Sequence, residues 1–516
     1  MTPCSQAEVV GFLSDPKNYS GKKPTTVDRI DTHGAMVFLA GDEVWKIKRD
    51  IKLPYMDFST LEKRRAVCWR EVELNRQTAP QIYLGLAAIC RDREGLLNLE
   101  GRGEPVEWAV RMRRFDQEQL LEAIASRGAL TDDLLRALAS HIAEFHGHIR
   151  KALDVDFAST MRRIAVELIT GFALQPKLFA PPTQEAFARR ISEQVDAQST
   201  LLRKRSHDGF VRRCHGDLHL RNIVVIDGSP VLFDALEFDE GFATTDILYD
   251  VAFVIMDLWQ KGLRHQANFL LSRYLAGMGL DENISALAAM PLFLAIRAGI
   301  RAMVAGERVE LQEGENAIAS AAEAKAYFDA ALEYLQPAPP RVIAIGGLSG
   351  TGKSTLAAAI AHLIGATPGA LHLRSDIERK LLYGVAETHR LSAEAYSQVT
   401  TRKVYESLLR KTAQALAAHR AVIVDAVFSK QEERLAIEQA AQEAHCRFQG
   451  FWLSAPSDLL FARVAGRSGD ASDADRTIVQ QQLAYDTGFV SWSLLDARGS
   501  PEAVQVEAEK LLAVSK

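Results

Sequence analysis

The chain has 516 residues, of which 47% are hydrophobic and 25% are charged, and this composition excludes a mainly disordered chain. Its length excludes a single hydrophobic core, so roughly two to four domains are expected. Lysine and arginine total 61 against 66 acidic residues, a formal net charge of -5, which excludes a global field that would gather nucleic acid or anionic lipid.

Three features of the sequence bear on where the protein works. The five cysteines are scattered, with no CxxC pair and no metal-ligand spacing, as is typical of reduced thiols. The N-terminus has no basic region before a long apolar run, so it does not resemble a secretory signal. The longest strongly apolar stretch, 286–296, is interrupted by Pro291 and is shorter than the roughly 18 residues that span a bilayer. We therefore expect a cytoplasmic protein without a membrane partner.

The predicted elements divide the chain into successive parts. An N-terminal extension, 1–26, precedes strand-like runs and one polar helix in 27–115, and then mostly helical sequence with one strand pair in 116–335. Consecutive prolines in 336–340 favour an extended linker, and an apolar strand opens the last part, 341–516. The sequence thus predicts an α+β two-lobed domain followed by an α/β domain with a doubly wound parallel sheet.

The helical part contains the string Cys214-His-Gly-Asp-Leu-His-Leu-Arg-Asn222, followed by the strand pair. Asp217 and Asn222 lie on the loop that enters the first strand, and Asp234 lies at the far end of the second. Two carboxylates and one amide are thus expected at the mouth of a hairpin. Phosphoryl transfer uses such a set, because one Asp takes the proton of the acceptor hydroxyl while the Asn and the other Asp hold Mg²⁺.

At these residues the sequence resembles the aminoglycoside phosphotransferase family, a branch of the protein-kinase-like fold, whose pattern is HGDxxxxN followed by a strand that ends in Asp. The resemblance implies that Asp217 is the catalytic base and that Asn222 and Asp234 are metal ligands. It also implies that His215 braces the catalytic loop and that Asp250 stabilises it.

The resemblance covers roughly residues 25 to 335, so the small lobe should supply a Lys for the nucleotide phosphates and a Glu to hold it. Lys46 and Lys48 lie two residues apart on one strand and share a face. The sequence does not choose between them, although Lys46 lies deeper in the strand. Glu71 on the following helix is the expected partner; Glu73, about 160° away on the helical wheel, is the competitor.

A glycine-rich loop that would cover the phosphates is poorly represented in the small lobe. Only Thr32-His-Gly34 and Ala40-Gly-Asp42 are available for it. This departure from the kinase pattern predicts a weaker nucleotide clamp in the first domain.

The strand 341–346 runs into a glycine-rich turn and then into a helix from about Ser354 to Leu363. The turn meets the pattern GxxxxGKS/T in the strand-turn-helix context of a P-loop. Its backbone N–H groups wrap the phosphates, Lys353 reaches the terminal phosphates and Ser354 ligates Mg²⁺. Thr355 is expected outside the metal shell. The predicted nucleotide-binding residues of this turn are Gly347, Gly350, Gly352, Lys353, Ser354 and Thr355.

Further charged residues follow at places where ligands of such a sheet bind. Asp376 and Arg379 lie at a strand-to-helix turn on the carboxyl side of the sheet. A later apolar strand ends in Asp425, the position of a carboxylate that holds magnesium through water. Arg463 and Arg467 are one helical turn apart, so both guanidinium groups can converge on phosphate.

This set resembles the small P-loop kinases, the group that contains gluconate kinase, chloramphenicol phosphotransferase, zeta toxins and polynucleotide kinases. The resemblance implies that Asp376 is the acceptor-side base and that Arg379 binds the acceptor. It also implies that Arg463 and Arg467 are lid arginines. The match covers about residues 341 to 500.

The whole chain resembles a bacterial fusion of an aminoglycoside-phosphotransferase-like domain with a P-loop kinase domain of the AAA, zeta-toxin and gluconate-kinase type. The resemblance implies ATP and Mg²⁺ as cofactors and two potential sites that phosphorylate hydroxyl groups of small aminoglycoside-like, sugar or nucleoside-like molecules. It fixes neither the acceptor nor the oligomeric state.

Two alternatives stay open. The first domain could be a nucleotide-sensing, pseudokinase-like module that regulates a P-loop kinase or ATPase, although Asp217, Asn222 and Asp234 are all present. The P-loop domain could instead be a nucleic-acid 5′-end kinase. The absence of a basic tract around residues 370 to 480 argues against this second alternative, so no nucleic-acid partner is expected.

Overall fold

The computed structural model describes residues 5–19, 24–53, 56–101, 103–279, 281–466 and 471–514. The chain forms two compact units. The first unit consists of Met1–His141, His148–Val155 and Gly209–Asp250, and the second consists of Ile142–Gly147, Asp156–Asp208 and Val251–Lys516. These units group residues that pack together in space and not consecutive stretches of the chain. The domain boundaries expected at 26, 115, 335 and 340 therefore remain a prediction.

The strands of the described residues are, in chain order, β1 (Val27–Asp31), β2 (Ala35–Ala40), β3 (Glu43–Lys48), β4 (Lys52–Leu53), β5 (Met56–Asp57), β6 (Tyr83–Arg91), β7 (Leu97–Leu99), β8 (Glu104–Arg113), β9 (Val211–Arg213), β10 (Ile223–Ile226), β11 (Ser229–Leu232), β12 (Thr244–Asp246), β13 (Arg341–Gly346), β14 (Leu371–Arg374), β15 (Val422–Asp425), β16 (Arg447–Ser454) and β17 (Ser493–Asp496).

The α-helices of the same residues are α1 (Gln6–Ser14), α2 (Leu61–Asn75), α3 (Leu121–Ser126), α4 (Asp132–His148), α5 (Phe157–Ala173), α6 (Pro181–His207), α7 (Glu240–Ala243), α8 (Ile247–Gln260), α9 (Arg264–Met278), α10 (Asp281–Ser285), α11 (Met290–Leu311), α12 (Gly314–Tyr334), α13 (Lys353–Ala361), α14 (Ser375–Leu382), α15 (Gln398–Ala417), α16 (Gln431–Glu443), α17 (Ser457–Ala465), α18 (Arg476–Leu483) and α19 (Pro501–Val514).

The first unit is built on a six-stranded antiparallel sheet with the order β1-β2-β3-β8-β6-β7. Alternation along β3 buries Trp45 and Ile47 in the core beneath α1, to which α1 contributes Val9 and Leu13. The opposite face of β3 is therefore left for the side chains of alternate residues. This alternation decides where the lysines of β3 lie.

Three short antiparallel strand pairs, β4-β5, β9-β12 and β10-β11, lie beside this sheet in the described part of the first unit. The hairpin β10-β11 carries the loop that contains Asp217 on one side and Asp234 on the other. The second pair, β9 with β12, is antiparallel and joins residues more than 30 positions apart. The expectation of a single strand pair in 116–335 is therefore wrong, because three-residue strands such as β9 leave too short a pattern to be recognised.

The second unit contains a five-stranded parallel sheet with the order β14-β15-β13-β16-β17. The central strand β13 buries Ile343 and Ile345 completely, as expected where helices cover both faces of a parallel sheet. The strand order reverses at β13, the position where ligands of a doubly wound sheet bind. The predicted order of an α+β domain followed by an α/β P-loop domain is confirmed.

One stretch, Asp281–Leu311, is long and apolar enough to cross a membrane by length and composition, with a mean hydropathy of 1.6. These values describe its apolar window of 18 residues, of which 67% is buried inside the structure, as is also found for core helices of folded proteins. The expectation that Pro291 interrupts this stretch is wrong. Pro291 lies in the first turn of α11, where the missing N–H has no helical partner to lose.

Candidate active sites

Strand β3 presents Lys46 and Lys48 on one face, and both lysines contact the same glutamate. Lys46 Nζ lies 2.8 Å from Glu71 Oε1 and 2.6 Å from Asp234 Oδ1. Lys48 Nζ lies 2.5 Å from Glu71 Oε2 and forms a second ion pair with Glu237. Both candidate lysines thus pair with Glu71, and Lys46 is the one that lies beside Asp234.

Helix α2 turns Glu71 inward and Glu73 outward. The side chain of Glu71 is completely buried, whereas that of Glu73 is 51% exposed and pairs with Arg70. The two glutamates lie about 160° apart on the helix because they are separated by two residues. Glu71 is accordingly the partner of the lysines in the structure.

Burial and the attraction between opposite charges have opposite effects on the pKa values of Lys46 and Glu71. Burial alone would lower the pKa of Lys46, but Asp234 and Glu71 hold that pKa well above its ordinary value. Burial alone would raise the pKa of Glu71, but the charges of Lys46 and Lys48 lower it. The lysines and Glu71 are therefore charged at neutral pH. Burial raises the pKa of Glu237, which has to share Lys48 with Glu71.

The segment from His215 to Asp217 is held rigidly from two sides. The carboxylate of Asp250 accepts from the backbone N–H groups of His215 at 3.2 Å and Gly216 at 2.8 Å. His215 Nε2 donates to the carbonyl of Phe233 at 2.9 Å, and its Nδ1 accepts from the N–H of Asp217 at 3.4 Å. Burial lowers the pKa of His215, which suits this neutral tautomer.

Asp217 is oriented by its neighbours on the same loop. Asn222 Nδ2 donates to both the carbonyl and Oδ2 of Asp217, each at 2.9 Å. His219 Nε2 lies 3.3 Å from the same Oδ2. The side chain of Asp217 is nevertheless 39% exposed, so a substrate can reach it. Because the amide nitrogen of Asn222 is directed at Asp217, its oxygen is the atom left to face a cation.

Asp234 adopts a left-handed backbone conformation, with φ of 59°, which costs free energy for a non-glycine residue. Its N–H donates to Tyr83 Oη at 3.2 Å, and the N–H of Ala235 donates to Asn75 Oδ1 at 2.8 Å. Neither Tyr83 nor Asn75 was predicted from the sequence as a site residue. Only Asn75 left a signal, since it lies one helical turn after Glu71.

The two turns considered for a phosphate-covering loop are both tight connections. Thr32 closes the β1-β2 turn, where its N–H donates to the carbonyl of Ala35 at 2.9 Å. Gly41, with φ of 61°, forms the β2-β3 turn. Neither connection has the length of a flap that folds over a triphosphate.

In the second unit, β13 runs into the P-loop and α13 begins at Lys353. Gly347 has φ of 135°, and a Cβ there would lie only 2.5 Å from the carbonyl oxygen of Leu453. A Cβ on Gly350, with φ of 87°, would lie 3.0 Å from the carbonyl oxygen of Leu460, whereas one on Gly352 would meet no atom within 4 Å. The loop is thus packed against the sheet on one side and open on the other.

The polar residues of the P-loop are arranged around its open side. Lys353 Nζ donates to the carbonyl of Leu348 at 3.0 Å across the loop. Ser354 is half-buried and Thr355 is exposed in the first turn of α13. The N–H of Ser349 donates to Gln482 Oε1 at 2.8 Å, which anchors the loop to α18.

Asp425 ends β15 and is buried among cationic and polar side chains. Its Oδ2 lies 3.5 Å from His372 Nε2 and 3.6 Å from Arg374 Nε. Burial alone would raise the pKa of Asp425, but the contact with His372 and the charges of Arg374 and Lys353 lower it to about 2. The carboxylate is therefore ionised at any physiological pH.

Asp376 and Arg379 both lie on α14. Burial raises the pKa of Asp376, and the charge of Asp425 adds to this effect. Arg379 donates to the carbonyl of Ala395 at 2.7 Å, and its guanidinium lies 4.7 Å from the ring centre of Tyr396. In the structure Arg379 therefore holds the segment around Tyr396.

Arg463 on α17 faces the backbone on the far side of the P-loop. It donates to the carbonyl of Ala497 at 2.9 Å and lies 3.4 Å from that of Gly350. It lines a cavity of about 260 Å³ together with P-loop residues and the segment that follows β17. The predicted partner, Arg467, lies outside the described residues.

Two family comparisons match separate parts of the chain. Residues 76–283 match the phosphotransferase enzyme family, and residues 342–487 match a family described as an AAA domain. The first match includes Asp217, Asn222 and Asp234, and the second includes Lys353 and Asp425.

Curated relatives match most of the chain. Uncharacterized proteins of Mycobacterium tuberculosis and Mycobacterium bovis are each 31% identical to the chain over 474 residues, covering 90% of this chain and 91% of the relative.

Solved structures resemble one part of the chain or the other. An aminoglycoside 2′-phosphotransferase-IIIa bound to GDP covers 63% of this chain and 99% of its own, at 14% identity and a TM-score of 0.39. A gluconokinase from Sinorhizobium meliloti covers 34% of this chain and 98% of its own, at 21% identity and a TM-score of 0.25.

Proposed function

We propose that this chain, which belongs to the family of these mycobacterial proteins, carries one active site in each of its two domains. One domain matches the phosphotransferase enzyme family and the other matches a family described as an AAA domain. Each site transfers the γ-phosphoryl group of ATP, with Mg²⁺, to a hydroxyl group of a small molecule. The acceptors proposed are hydroxylated molecules of the aminoglycoside, sugar or nucleoside type. The protein is further proposed to work in the cytoplasm, without a membrane or nucleic-acid partner.

The observation that carries the proposal is the position of Lys46. Its ammonium group lies between the carboxylates of Glu71 and Asp234, at 2.8 Å and 2.6 Å. Glu71 is buried and fixes the lysine, whereas the side chain of Asp234 is 38% exposed. Lys46 can therefore exchange Asp234 for a phosphate oxygen without moving its backbone. A kinase-type site requires this combination of a fixed lysine and a displaceable carboxylate.

Asp217 supplies the acceptor-side chemistry of the first site. Its carboxylate is exposed enough to meet an acceptor hydroxyl, and Asn222 and His219 hold its Oδ2 in place. A positioned carboxylate that takes a proton in the transition state contributes about 10²- to 10⁴-fold to the rate. His215 and Asp250 act on the loop and not on the substrate.

The donor set of the first site fits a magnesium ion. The amide oxygen of Asn222 and the carboxylate of Asp234 are hard oxygen donors, which Mg²⁺ prefers. Asn222 is oriented by its hydrogen bonds to Asp217, and the backbone of Asp234 is held by the hydrogen bond of its N–H to Tyr83 Oη. When bound, Mg²⁺ supplies positive charge that neutralises the transferred phosphoryl group.

The second site combines the P-loop with two carboxylates of different basicity. The N–H groups of the loop and Lys353 bind phosphate oxygens, and Ser354 and the ionised Asp425 provide oxygen donors for a cation. The raised pKa of Asp376 makes this carboxylate the better base of the pair. The proposal therefore assigns the acceptor proton to Asp376.

The cavity beside the P-loop fits the base of the nucleotide. Its walls combine loop backbone from Gly350 to Gly352 with apolar side chains such as Leu453 and Val504. A space next to a phosphate loop that is lined partly by apolar side chains suits a purine ring. Arg463 closes this space and ties it to the loop after β17.

Equilibrium binding of a fluorescent ATP analogue with Mg²⁺ tests the proposal of two sites. Wild type should bind two equivalents per chain, and Lys353→Ala and Lys46→Met should each bind one. Binding of a single equivalent that Lys353→Ala abolishes would remove the nucleotide site from the first domain. Binding of a single equivalent that only Lys46→Met abolishes would show that the second domain has no nucleotide site.

A further inference from the structure

Helix α9 belongs to the stretch that matches the phosphotransferase family, yet it packs on the P-loop sheet within the second unit. Asn268 Nδ2 on α9 donates to the carbonyls of Pro368 at 3.1 Å and Ala370 at 2.9 Å. A Cβ on Gly369, whose φ is 108°, would lie only 2.9 Å from Asn268 Nδ2. The entrance to β14 is therefore built directly onto α9.

One turn further along α9, Arg273 enters a series of alternating charges that ends at Asp425. Arg273 Nη1 lies 3.5 Å from Glu387 Oε1, and the same oxygen lies 3.9 Å from Arg374 Nη1. Arg374 Nε in turn lies 3.6 Å from Asp425 Oδ2. Arg273, Arg374 and Asp425 are all less than a tenth exposed, so their charges act on one another with little screening by water.

The orientation of Arg273 is fixed from its own helix. Its guanidinium lies 4.9 Å from the ring centre of Phe269, one turn earlier on α9. Glu387 is thus shared between two guanidinium groups, one from α9 and one from β14. If Arg273 lost its charge, Glu387 would attract Arg374 more strongly. The hold of Arg374 on Asp425 would then weaken.

We propose that Arg273 is a positioning residue of the P-loop site, which sets the orientation of Asp425 through Glu387 and Arg374. Helix α9 is thereby part of the second active site, although it lies outside the AAA match. The inference rests on the proposed function only in taking Asp425 as the residue that holds the cation.

The test uses the full-length chain with Arg273→Met, Arg273→Lys and, as a control, Arg410→Gln. Arg410 pairs with Asp281 at 2.8 Å between α15 and α10, so the control also removes an ion pair between a helix before the linker and one after it. The probe is a fluorescent ATP analogue, and its binding to the Lys353-dependent site is titrated with Mg²⁺. Lys353-dependent ATP turnover is measured in parallel.

Arg273→Met should raise the Mg²⁺ concentration for half-maximal binding by on the order of 3- to 10-fold, below the roughly 10- to 100-fold effect of removing a direct partner of a metal ligand, because Arg273 acts on Asp425 through Glu387 and Arg374. Nucleotide affinity without Mg²⁺ should stay unchanged. Arg273→Lys should show a smaller shift than Arg273→Met, because lysine keeps the positive charge but lacks the planar guanidinium group that can make two parallel hydrogen bonds. Arg410→Gln should behave like wild type.

An unchanged Mg²⁺ dependence in Arg273→Met would overturn the inference, whatever the turnover. If Arg273→Met shows the expected shift in Mg²⁺ dependence but the wild type shows no Lys353-dependent ATP turnover, the inference is supported and the proposed kinase activity of this domain is rejected. If Arg273→Met fails to fold, Arg273→Gln replaces it, with the same shift expected and the same unchanged result contradicting the inference.

Discussion

Asp217 is a carboxylate whose environment separates catalysis from folding. Its side chain is 39% exposed and is contacted by Asn222 and His219 of its own loop, so Asp217→Asn should fold normally. Loss of the base should lower turnover at the first site by about 10²- to 10⁴-fold. Phosphate transfer from labelled ATP to the best acceptor of a panel measures this. Asp154→Asn, at an exposed position of the same unit, is the control, and an equal loss in both variants would contradict the assignment.

Lys46 and Lys48 differ in what they hold. Lys48 is buried between Glu71 and Glu237, and Lys48→Met would leave both carboxylates without this cation. Breaking a buried ion pair from one side costs about 3–5 kcal/mol. Urea denaturation should therefore show a large loss of stability for Lys48→Met. Adding Glu237→Leu to Lys48→Met should restore most of the lost stability. Arg70→Met is the control, because Arg70 forms a half-exposed ion pair with Glu73 on α2. A loss of stability in Arg70→Met as large as that in Lys48→Met would argue against this explanation.

His215 should make the stability of the protein depend on pH. Burial lowers the pKa of His215 in the folded state below its ordinary value of 6.5. The unfolded chain consequently binds more protons below about pH 6.5, and the free energy of unfolding falls as the pH drops, by up to about 1.4 kcal/mol per pH unit. Urea midpoints between pH 5 and pH 8 should show a shallower slope in His215→Gln. An identical slope would show that the pKa of His215 is the same in the folded and the unfolded chain.

The residues that could be predicted are those whose chemistry is concentrated in a short string. Asp217 and Asn222 stand five positions apart on one loop, so sequence order alone places them together. Tyr83 could not be predicted, because it reaches the site from β6, at no fixed spacing from the loop that carries Asp217. The choice between Lys46 and Lys48 needed the structure for the same reason, since both lie on one face of β3.

At the scale of elements, the P-loop depends on the close approach of its first glycine to β16. A Cβ on Gly347 would lie 2.5 Å from the carbonyl oxygen of Leu453, and φ is 135°. Gly347→Ala should therefore displace the loop, cost about 1–3 kcal/mol and abolish Lys353-dependent nucleotide binding. Gly384→Ala is the control, since its φ is also positive but no atom lies within 4 Å of the added Cβ. Retention of binding by Gly347→Ala would show that the loop relaxes without loss of function.

Elements with a strong local pattern were predicted close to their observed bounds, and those held by distant pairing were not. The sequence placed β13, α13 and β15 within two residues of the structure because a buried apolar strand next to a glycine turn is distinctive. Strands β9 and β12 are three residues long and exist through pairing across more than 30 positions. Pro291 was misjudged because proline starts a helix as readily as it breaks one.

At the scale of the whole molecule, the family comparisons divide the chain differently from its packing. The phosphotransferase match ends at residue 283 and the AAA match begins at 342, whereas the second compact unit contains helices from both sides of that gap. The contacts of α9 with Pro368, Ala370 and Glu387 contribute to this difference. Sequence patterns could not predict it, because the proline-rich linker indicates a boundary in the chain and not in space.

The central proposal is that the chain contains two phosphotransferase sites, one in each domain. Its most direct test is ATP-dependent phosphorylation of a panel of aminoglycosides, sugars and nucleosides by wild type, Asp217→Asn, Lys353→Ala and the double variant. The account predicts that each single variant loses a different product and that the double variant loses both. Loss of every product in Lys353→Ala, with no change in Asp217→Asn, would contradict it and leave the first domain as a nucleotide-binding regulator.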